Sequence, residues 1–193
     1  MEFGVAIVPH DLKETAASAK LAEEQGFDYI GIPDSQSLWR ELYLSLSVVA
    51  NATTKVRIGP TVTNALTRHP AVAASAIATL NEISGGRAFL GIGSGDSVIL
   101  NLGLRPARMS EMREYIQALR ALLSGQSCDY KGRSIHVQWL ENPVPIVMSA
   151  EGPKIGHGRR DCRCRDRPFR SDQRRSSRHH RPDQGRRESR GQA

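Results

Sequence analysis

The chain has 193 residues, of which 39% are apolar, and this is enough for one folded domain with its own core. Its net charge of +7 comes from residues 156–193, which contain 13 arginines, no lysine and five acids. The first 155 residues are therefore nearly neutral, so the basic pI of 9.8 belongs to the tail and says nothing about the folded part.

The composition also bears on where the protein works. The N-terminal residues lack the basic and apolar regions of a secretory signal, and no apolar run approaches the roughly 20 residues of a membrane helix. Cys128 is the lone cysteine before the arginine-rich tail, which is typical of a reducing compartment. We therefore expect a cytoplasmic protein with no membrane segment.

Apolar runs alternate with amphipathic segments along the first 155 residues. The runs predict strands, the first of them buried on both faces, over 3–9, 27–33, 55–62, 87–93 and 144–150. Helical spacing predicts helices from the cap at Asp11 to Gly26, over about 40–51, from Pro70 to Gly85, and from a cap at Ser110 to Gly125. Residues 129–137 predict a small hairpin.

Strands that alternate with helices indicate an α/β fold with a parallel sheet. Two architectures fit this pattern, a doubly wound open sheet and a (β/α)8 barrel. Polar or glycine-rich residues follow every predicted strand, whereas an open sheet concentrates its site at one switch point. A barrel uses the carboxyl ends of all its strands, so the sequence favours a partial (β/α)8 TIM barrel with about five of eight units.

The stretch FLGIGSGDS, residues 89–97, resembles the start of a dinucleotide-binding fingerprint. That fingerprint needs a third glycine where this chain has Asp96, and a helix should begin at once. The next clear helix is predicted near Ser110, so a Rossmann site is disfavoured. The glycines instead indicate a strand end that another group can approach closely.

The segment GPTVTNALTRHPAVAASAIATLNEISGGRAFLGIGSGD, residues 59–96, resembles the luciferase-like flavin oxidoreductases. The resemblance extends from about Glu2 to Lys154 and is strongest to the deazaflavin-dependent, methylenetetrahydromethanopterin reductase-like branch. It implies a barrel that binds coenzyme F420, or alternatively FMN, at its carboxyl mouth. Hydride then passes between the coenzyme and a small organic substrate, without a metal, in full-length members expected to be homo-oligomers.

The resemblance also implies a set of site residues. A non-prolyl cis peptide would lie at Thr61–Val62 and back the coenzyme ring, while the backbone at Gly93, Ser94 and Gly95 would approach it. Asp96 would handle a proton near the reactive edge; alternatively, its carboxylate caps amides in its own loop. The other implied coenzyme-binding residues are Asp34, Thr63, Asn64, Ser149, Gly152 and Pro153.

Several of these positions have alternative interpretations. Asp34 is otherwise a solvated loop acid, Thr63 and Asn64 are otherwise turn residues, and the SAEGPK loop is otherwise an ordinary strand-to-helix turn. His69 is interpreted as structural. Ser35 stands where many members have His, and Ala6 stands where methanopterin reductases have an acid, so the resemblance leaves the substrate open.

The family pattern stops after Lys154. Residues 156–193 contain no Leu, Ile, Val or Met, so we predict a disordered basic tail, best explained as an out-of-frame translation. Nucleic-acid binding is disfavoured by its interspersed acids, and the spacing of Cys162, Cys164, His179 and His180 matches no standard zinc pattern. An inactive fragment or a basic-tailed binding module remains the alternative to an enzyme.

Overall fold

The computed structural model describes residues 1–140 and 143–149 of the chain. The predicted tail and two predicted site residues, Gly152 and Pro153, lie outside the described residues. The strands are β1 (Gly4–Ala6), β2 (Tyr29–Ile32), β3 (Arg57–Pro60), β4 (Thr63–Asn64), β5 (Leu90–Gly93), β6 (Cys128–Tyr130), β7 (Arg133–Ile135) and β8 (Ile146–Met148). The helices are α1 (Leu12–Glu24), α2 (Leu42–Ala52), α3 (Pro70–Ile83), α4 (Ser97–Leu100) and α5 (Met109–Leu123).

The parallel strands form one curved wall in chain order. Strands β1, β2 and β3 pair side by side, and so do β4, β5 and β8. The two groups are joined because Ile58 donates its amide to Arg87 O at 3.0 Å and accepts from Phe89 N at 2.9 Å. A strand order that never reverses has no switch point, which confirms the prediction of a partial barrel over a doubly wound sheet.

Alternation along the strands separates an outer face from an inner face. The helix-facing side chains of Ile30, Ile32, Ile58, Leu90 and Ile92 are fully buried. On the inner face, the small residues Ala6, Gly31 and Gly59 lie in register across three strands. A Cβ at Gly59 would collide with the carbonyl oxygen of Phe89, so this glycine allows β3 and β5 to approach closely.

The prediction that the first strand is buried on both faces was wrong. Val5 and Ile7 pack against the core as expected, but Ala6 and Val8 are exposed, so β1 is buried on one face only. Both side chains lie on the inner side of the wall, which no described residue covers at this point. The third predicted strand, 55–62, corresponds to β3, which ends at Pro60. A cis peptide bond at Thr61–Val62, where that bond was predicted, separates β3 from β4.

Two predictions around the fourth strand were wrong. A short helix, α4, begins directly after Asp96, where the sequence predicted a loop, and it buries Val98 and Ile99. Helix α5 begins at Met109, so Ser110 lies in its first turn and is not the cap. The Glu111 carboxylate accepts the amide of Arg108 at 2.6 Å, and this bond fixes the start of the helix upstream of the serine.

At the amino ends of the strands, Glu23 fixes the connector formed by residues 53–56 between α2 and β3. Its carboxylate accepts the amides of Thr54, Lys55 and Val56 at 2.7–3.0 Å and the Thr54 hydroxyl at 3.2 Å. Partial burial acts to raise the pKa of Glu23, but these hydrogen bonds outweigh it and lower the pKa to about 2. The end of α1 is thereby tied to the start of β3.

Arg87 holds the same connector from the other side. Its guanidinium donates to the carbonyls of Ala50, Thr53, Val56 and Ser84 and to the Thr53 hydroxyl, at 2.7–3.0 Å. Burial lowers the pKa of Arg87, and the charge of Glu23 opposes that shift. The guanidinium therefore supplies donors to carbonyls at the end of α2, which have no partner within the helix.

We predict that Glu23→Gln destabilises the fold by about 1 kcal/mol, because it weakens charge-assisted bonds to three amides. The folded pKa of about 2 lies below the usual 4.5, so the charge contributes its full stabilisation above pH 4.5. That stabilisation is lost as the pH falls toward 2. Urea unfolding of both proteins between pH 3 and 7 measures this, with the neighbouring exposed Glu24→Gln as control; a difference that does not shrink on acidification contradicts the prediction.

We predict that Arg87→Lys lowers the free energy of unfolding by about 2 kcal/mol. An ammonium with three donors cannot reproduce the five hydrogen bonds of the planar guanidinium. The free energy of unfolding from denaturant titration measures the loss. Arg113→Lys, at an exposed position on α5, is the matched control and should change it by less than about 0.5 kcal/mol. Equal effects of the two substitutions would show that the bonds to the connector contribute nothing.

Candidate functional site

The loops that follow the parallel strands gather at one edge of the wall, which we call the mouth: residues 7–10, 33–41, 61–69, 93–97 and Ser149. The β1 and β2 exits meet where Arg40 N donates to Pro9 O at 3.3 Å. Ser97 Oγ donates to Ser35 Oγ at 3.1 Å, and Ser149 N donates to Ile92 O at 2.9 Å. Every predicted site residue within the described ranges therefore lies on or beside one edge.

Asp34 is the centre of a charged network at the exit of β2. Its side chain is 2% exposed, and its Oδ2 accepts from Thr63 Oγ1 at 2.7 Å and from Arg68 Nη1 at 2.6 Å. The other terminal nitrogen, Nη2, donates to Glu41 Oε1 at 2.9 Å. Asp34 is thus a buried, paired carboxylate, and the interpretation of a solvated loop acid was wrong.

Arg68 contacts several of the elements around the mouth, and its side chain is 19% exposed. Burial acts to lower its pKa, but the hydrogen bonds to Asp34 and Glu41 outweigh this and raise it. The guanidinium lies over the ring of Tyr43 on α2, 5.2 Å from its centroid. The Tyr115 hydroxyl of α5 donates to the Arg68 carbonyl at 3.0 Å, so both the side chain and the backbone of Arg68 are fixed.

The peptide between Thr61 and Val62 lies against the end of β5. A Cβ at Gly93 would come within 2.9 Å of Val62 Cγ2 and 3.9 Å of Ser149 Cβ, so these three residues share one small surface. The buried hydroxyl Oγ1 of Thr61 has no hydrogen-bond partner among the described residues. Buried polar atoms of this kind are rare and mark positions where a further partner is expected.

Asn64 and Thr63 direct their polar atoms into the protein. Asn64 Oδ1 accepts the amides of Leu66 and Thr67 at 2.9 Å, and its Nδ2 donates to Thr67 Oγ1 at 3.0 Å. This is the turn role that was the alternative interpretation of Asn64. Thr63 reaches Asp34, so its hydroxyl orients a site residue and belongs to the network described above.

Gly95 and Asp96 form the corner between β5 and α4. Gly95 has φ +99°, and a Cβ there would come within 2.6 Å of Ile99 Cδ1, so the turn requires glycine. Asp96 is exposed, and its carboxylate makes no capping bond to α4. The interpretation that Asp96 caps the amides of its own loop was therefore wrong, and its carboxylate is available at the mouth.

Sequence reasoning passed over Arg68, Glu41 and Tyr43. Arg68 precedes the first turn of α3, where the helix dipole disfavours a cation, and this was a signal that a carboxylate lies beside it. The neighbouring His69 accepts the amide of Ala71 at 3.3 Å and packs edge-on to Tyr130 at 5.1 Å. It caps α3, as its structural interpretation predicted.

The described residues match neither the pattern of a metal site nor that of a membrane-spanning helix. Residues 1–140 and 143–149 contain no group of three or more His, Cys, Asp or Glu side chains placed to hold a metal ion. None of their helices has both the length and the apolar character needed to cross a membrane.

The chain resembles known proteins across its N-terminal part. The profile of the family described as luciferase-like monooxygenase matches residues 1–156. The 5,10-methylenetetrahydromethanopterin reductase of Archaeoglobus fulgidus is 40% identical over 164 residues, which cover 80% of this chain and 49% of that protein. The F420-dependent glucose-6-phosphate dehydrogenase of Kineococcus radiotolerans is 33% identical, over 69% of this chain and 45% of its own length.

A solved structure agrees with these matches. The coenzyme F420-dependent tetrahydromethanopterin reductase of Methanopyrus kandleri superposes with a TM-score of 0.69 and 29% identity, over 79% of this chain and 51% of that one. The chain thus spans about half the length of the curated relatives it matches. Because the family profile covers most of its residues, this chain belongs to the luciferase-like monooxygenase family.

Proposed function

We propose that this chain forms the coenzyme-binding wall of an F420-dependent oxidoreductase. Relatives at 40% and 33% identity are a methylenetetrahydromethanopterin reductase and an F420-dependent dehydrogenase. The observation that carries the proposal is the small surface made by Val62, Gly93 and Ser149 at the carboxyl end of β5. When bound, the deazaflavin supplies hydride transfer to or from a small organic substrate.

The residues present fit a flat, polar-edged ring of this kind. Val62 and the peptide before it offer an apolar contact to one ring face, and Gly93, Ser94 and Gly95 permit a close approach of the backbone. Asp34 offers a polar contact at the edge. For the phosphate side of the coenzyme we propose Ser149, which lies beside the end of β5, and Gly152 and Pro153 remain predictions for that side.

For Asp96 we propose a role in holding a proton beside the reacting atoms. Its carboxylate is exposed and makes no capping bond, so it is free to act on a bound molecule. General acid work is favoured when a carboxyl group is shielded from water, and a ligand seated at the mouth would provide that shielding. Ser35, which stands where the family resemblance implies an imidazole, accepts a hydrogen bond from the Ser97 hydroxyl at 3.1 Å.

We predict that the full chain binds F420 at least tenfold more tightly than FMN, because a relative at 33% identity and a structural neighbour at 29% identity are F420-dependent enzymes. Quenching of each coenzyme's own fluorescence measures both dissociation constants; tenfold corresponds to about 1.4 kcal/mol. Tighter binding of FMN would favour an FMN-dependent monooxygenase. If neither binds, and salt-sensitive DNA retention disappears on deletion of 156–193, the basic-tailed binding module is favoured.

We predict that Gly93→Ala weakens F420 binding about tenfold, because the new Cβ lies 2.9 Å from Val62 Cγ2 and displaces the surface that contacts the ring. Overpacking of this size costs the fold about 1 kcal/mol, which circular dichroism during urea unfolding measures separately. The control is Gly132→Asn in the β6–β7 turn, where φ is +75° and the space is open. An F420 affinity unchanged in Gly93→Ala would remove Gly93 from the site.

A further inference from the structure

We propose that Arg68 is a positioning residue of the mouth: it holds one oxygen of Asp34 so that the other is presented to the bound coenzyme. The inference rests on the proposed function for the identity of that ligand. The contact between Arg68 and Asp34 itself is a property of the chain alone. Arg68 acts through Asp34 and does not itself touch the ligand.

The two oxygens of Asp34 have different surroundings. Oδ2 accepts both the Thr63 hydroxyl and the Arg68 guanidinium, at 2.7 Å and 2.6 Å. Among the described residues nothing donates to Oδ1. This oxygen is nevertheless not completely buried. Oδ1 therefore keeps the remaining solvent contact of a side chain that is 2% exposed. It is the free acceptor of a carboxylate that is otherwise fixed.

The Arg68 side chain cannot leave Asp34 without losing its other contacts. Glu41 holds its second nitrogen at 2.9 Å, and the ring of Tyr43 covers one face of the guanidinium. The fork geometry of Arg serves two carboxylates at once, whereas a lysine ammonium acts as a point charge. The charge of Asp34 is thus compensated inside the protein while one of its oxygens remains open to a hydrogen-bond donor.

The first test uses the full chain without coenzyme. Carbodiimide coupling of an amine to carboxyl groups, followed by mass spectrometry, compares Asp34 with the exposed Asp129 in the same sample. We expect little coupling at Asp34 in the parent protein and a severalfold increase in Arg68→Met, with an intermediate level in Glu41→Gln. Arg113→Met, at an exposed position, should match the parent. Unchanged coupling at Asp34 in folded Arg68→Met would overturn the proposal.

The second test measures F420 dissociation constants in a double-substitution cycle. We expect Arg68→Met and Asp34→Asn each to weaken binding about tenfold, and the double variant to bind no more weakly than Asp34→Asn alone. Arg68→Lys should recover part of the affinity. Additive losses would mean that Arg68 does not act through Asp34, and would overturn the proposal.

The outcomes separate the two proposals. If the parent protein binds no F420 but the coupling pattern is as expected, the proposed function fails and the positioning of Asp34 by Arg68 stands. If F420 binds and Arg68→Met neither exposes Asp34 nor weakens binding, the proposed function stands and Arg68 has only a structural role. Circular dichroism confirms that each variant is folded at the temperature used.

Discussion

The buried ion pair between Arg68 and Asp34 is the interaction on which the mouth depends. It joins the exit of β2 to the loop before α3; Thr63 donates to the same Asp34 oxygen, and Glu41 accepts from the second nitrogen of Arg68. A buried charge pair contributes little net stability, because the desolvation of both ions offsets their attraction. Losing one partner is costly, however, because it leaves the other charge buried and unpaired. The pair therefore fixes the loops of the mouth in one geometry more than it stabilises the fold.

The opposite edge of the wall, at the amino ends of the strands, is held together by contacts that stabilise the fold. Glu23 and Arg87 are both charged, but their partners are backbone groups of residues 50–56 and of Ser84, and they lie where the strands begin. Their bonds fix the connector between α2 and β3, and no loop of the mouth takes part. In barrels of this type the amino ends of the strands serve stability and the carboxyl ends serve chemistry. The two sets of ionic contacts follow that division.

The alternating strands and helices of the wall could be predicted from sequence. Apolar runs and helical spacing each extend over many residues, so a single atypical residue does not hide the pattern. The start of α5 and the existence of α4 could not be predicted, because one turn is too short for a periodic pattern and Glu111 overrides the cap expected at Ser110. The position of the cis peptide came from the family resemblance. The Arg68 network was missed because it joins residues 27–34 positions apart, which no local pattern records.

The inner face of the wall explains why the mouth is the part of this chain suited to binding. Toward the mouth the inner positions of β1, β2 and β3 are the small residues Ala6, Gly31 and Gly59, and Val8 and Val147 are each 39% exposed. An open apolar face of this kind binds without directional contacts, so it cannot orient a flat ring. Polar groups able to orient one include Asp34 Oδ1 and the backbone near Gly93, and both lie at the carboxyl edge. Substitutions at that edge should therefore change affinity for such a ring more than substitutions of the exposed apolar side chains on the inner face.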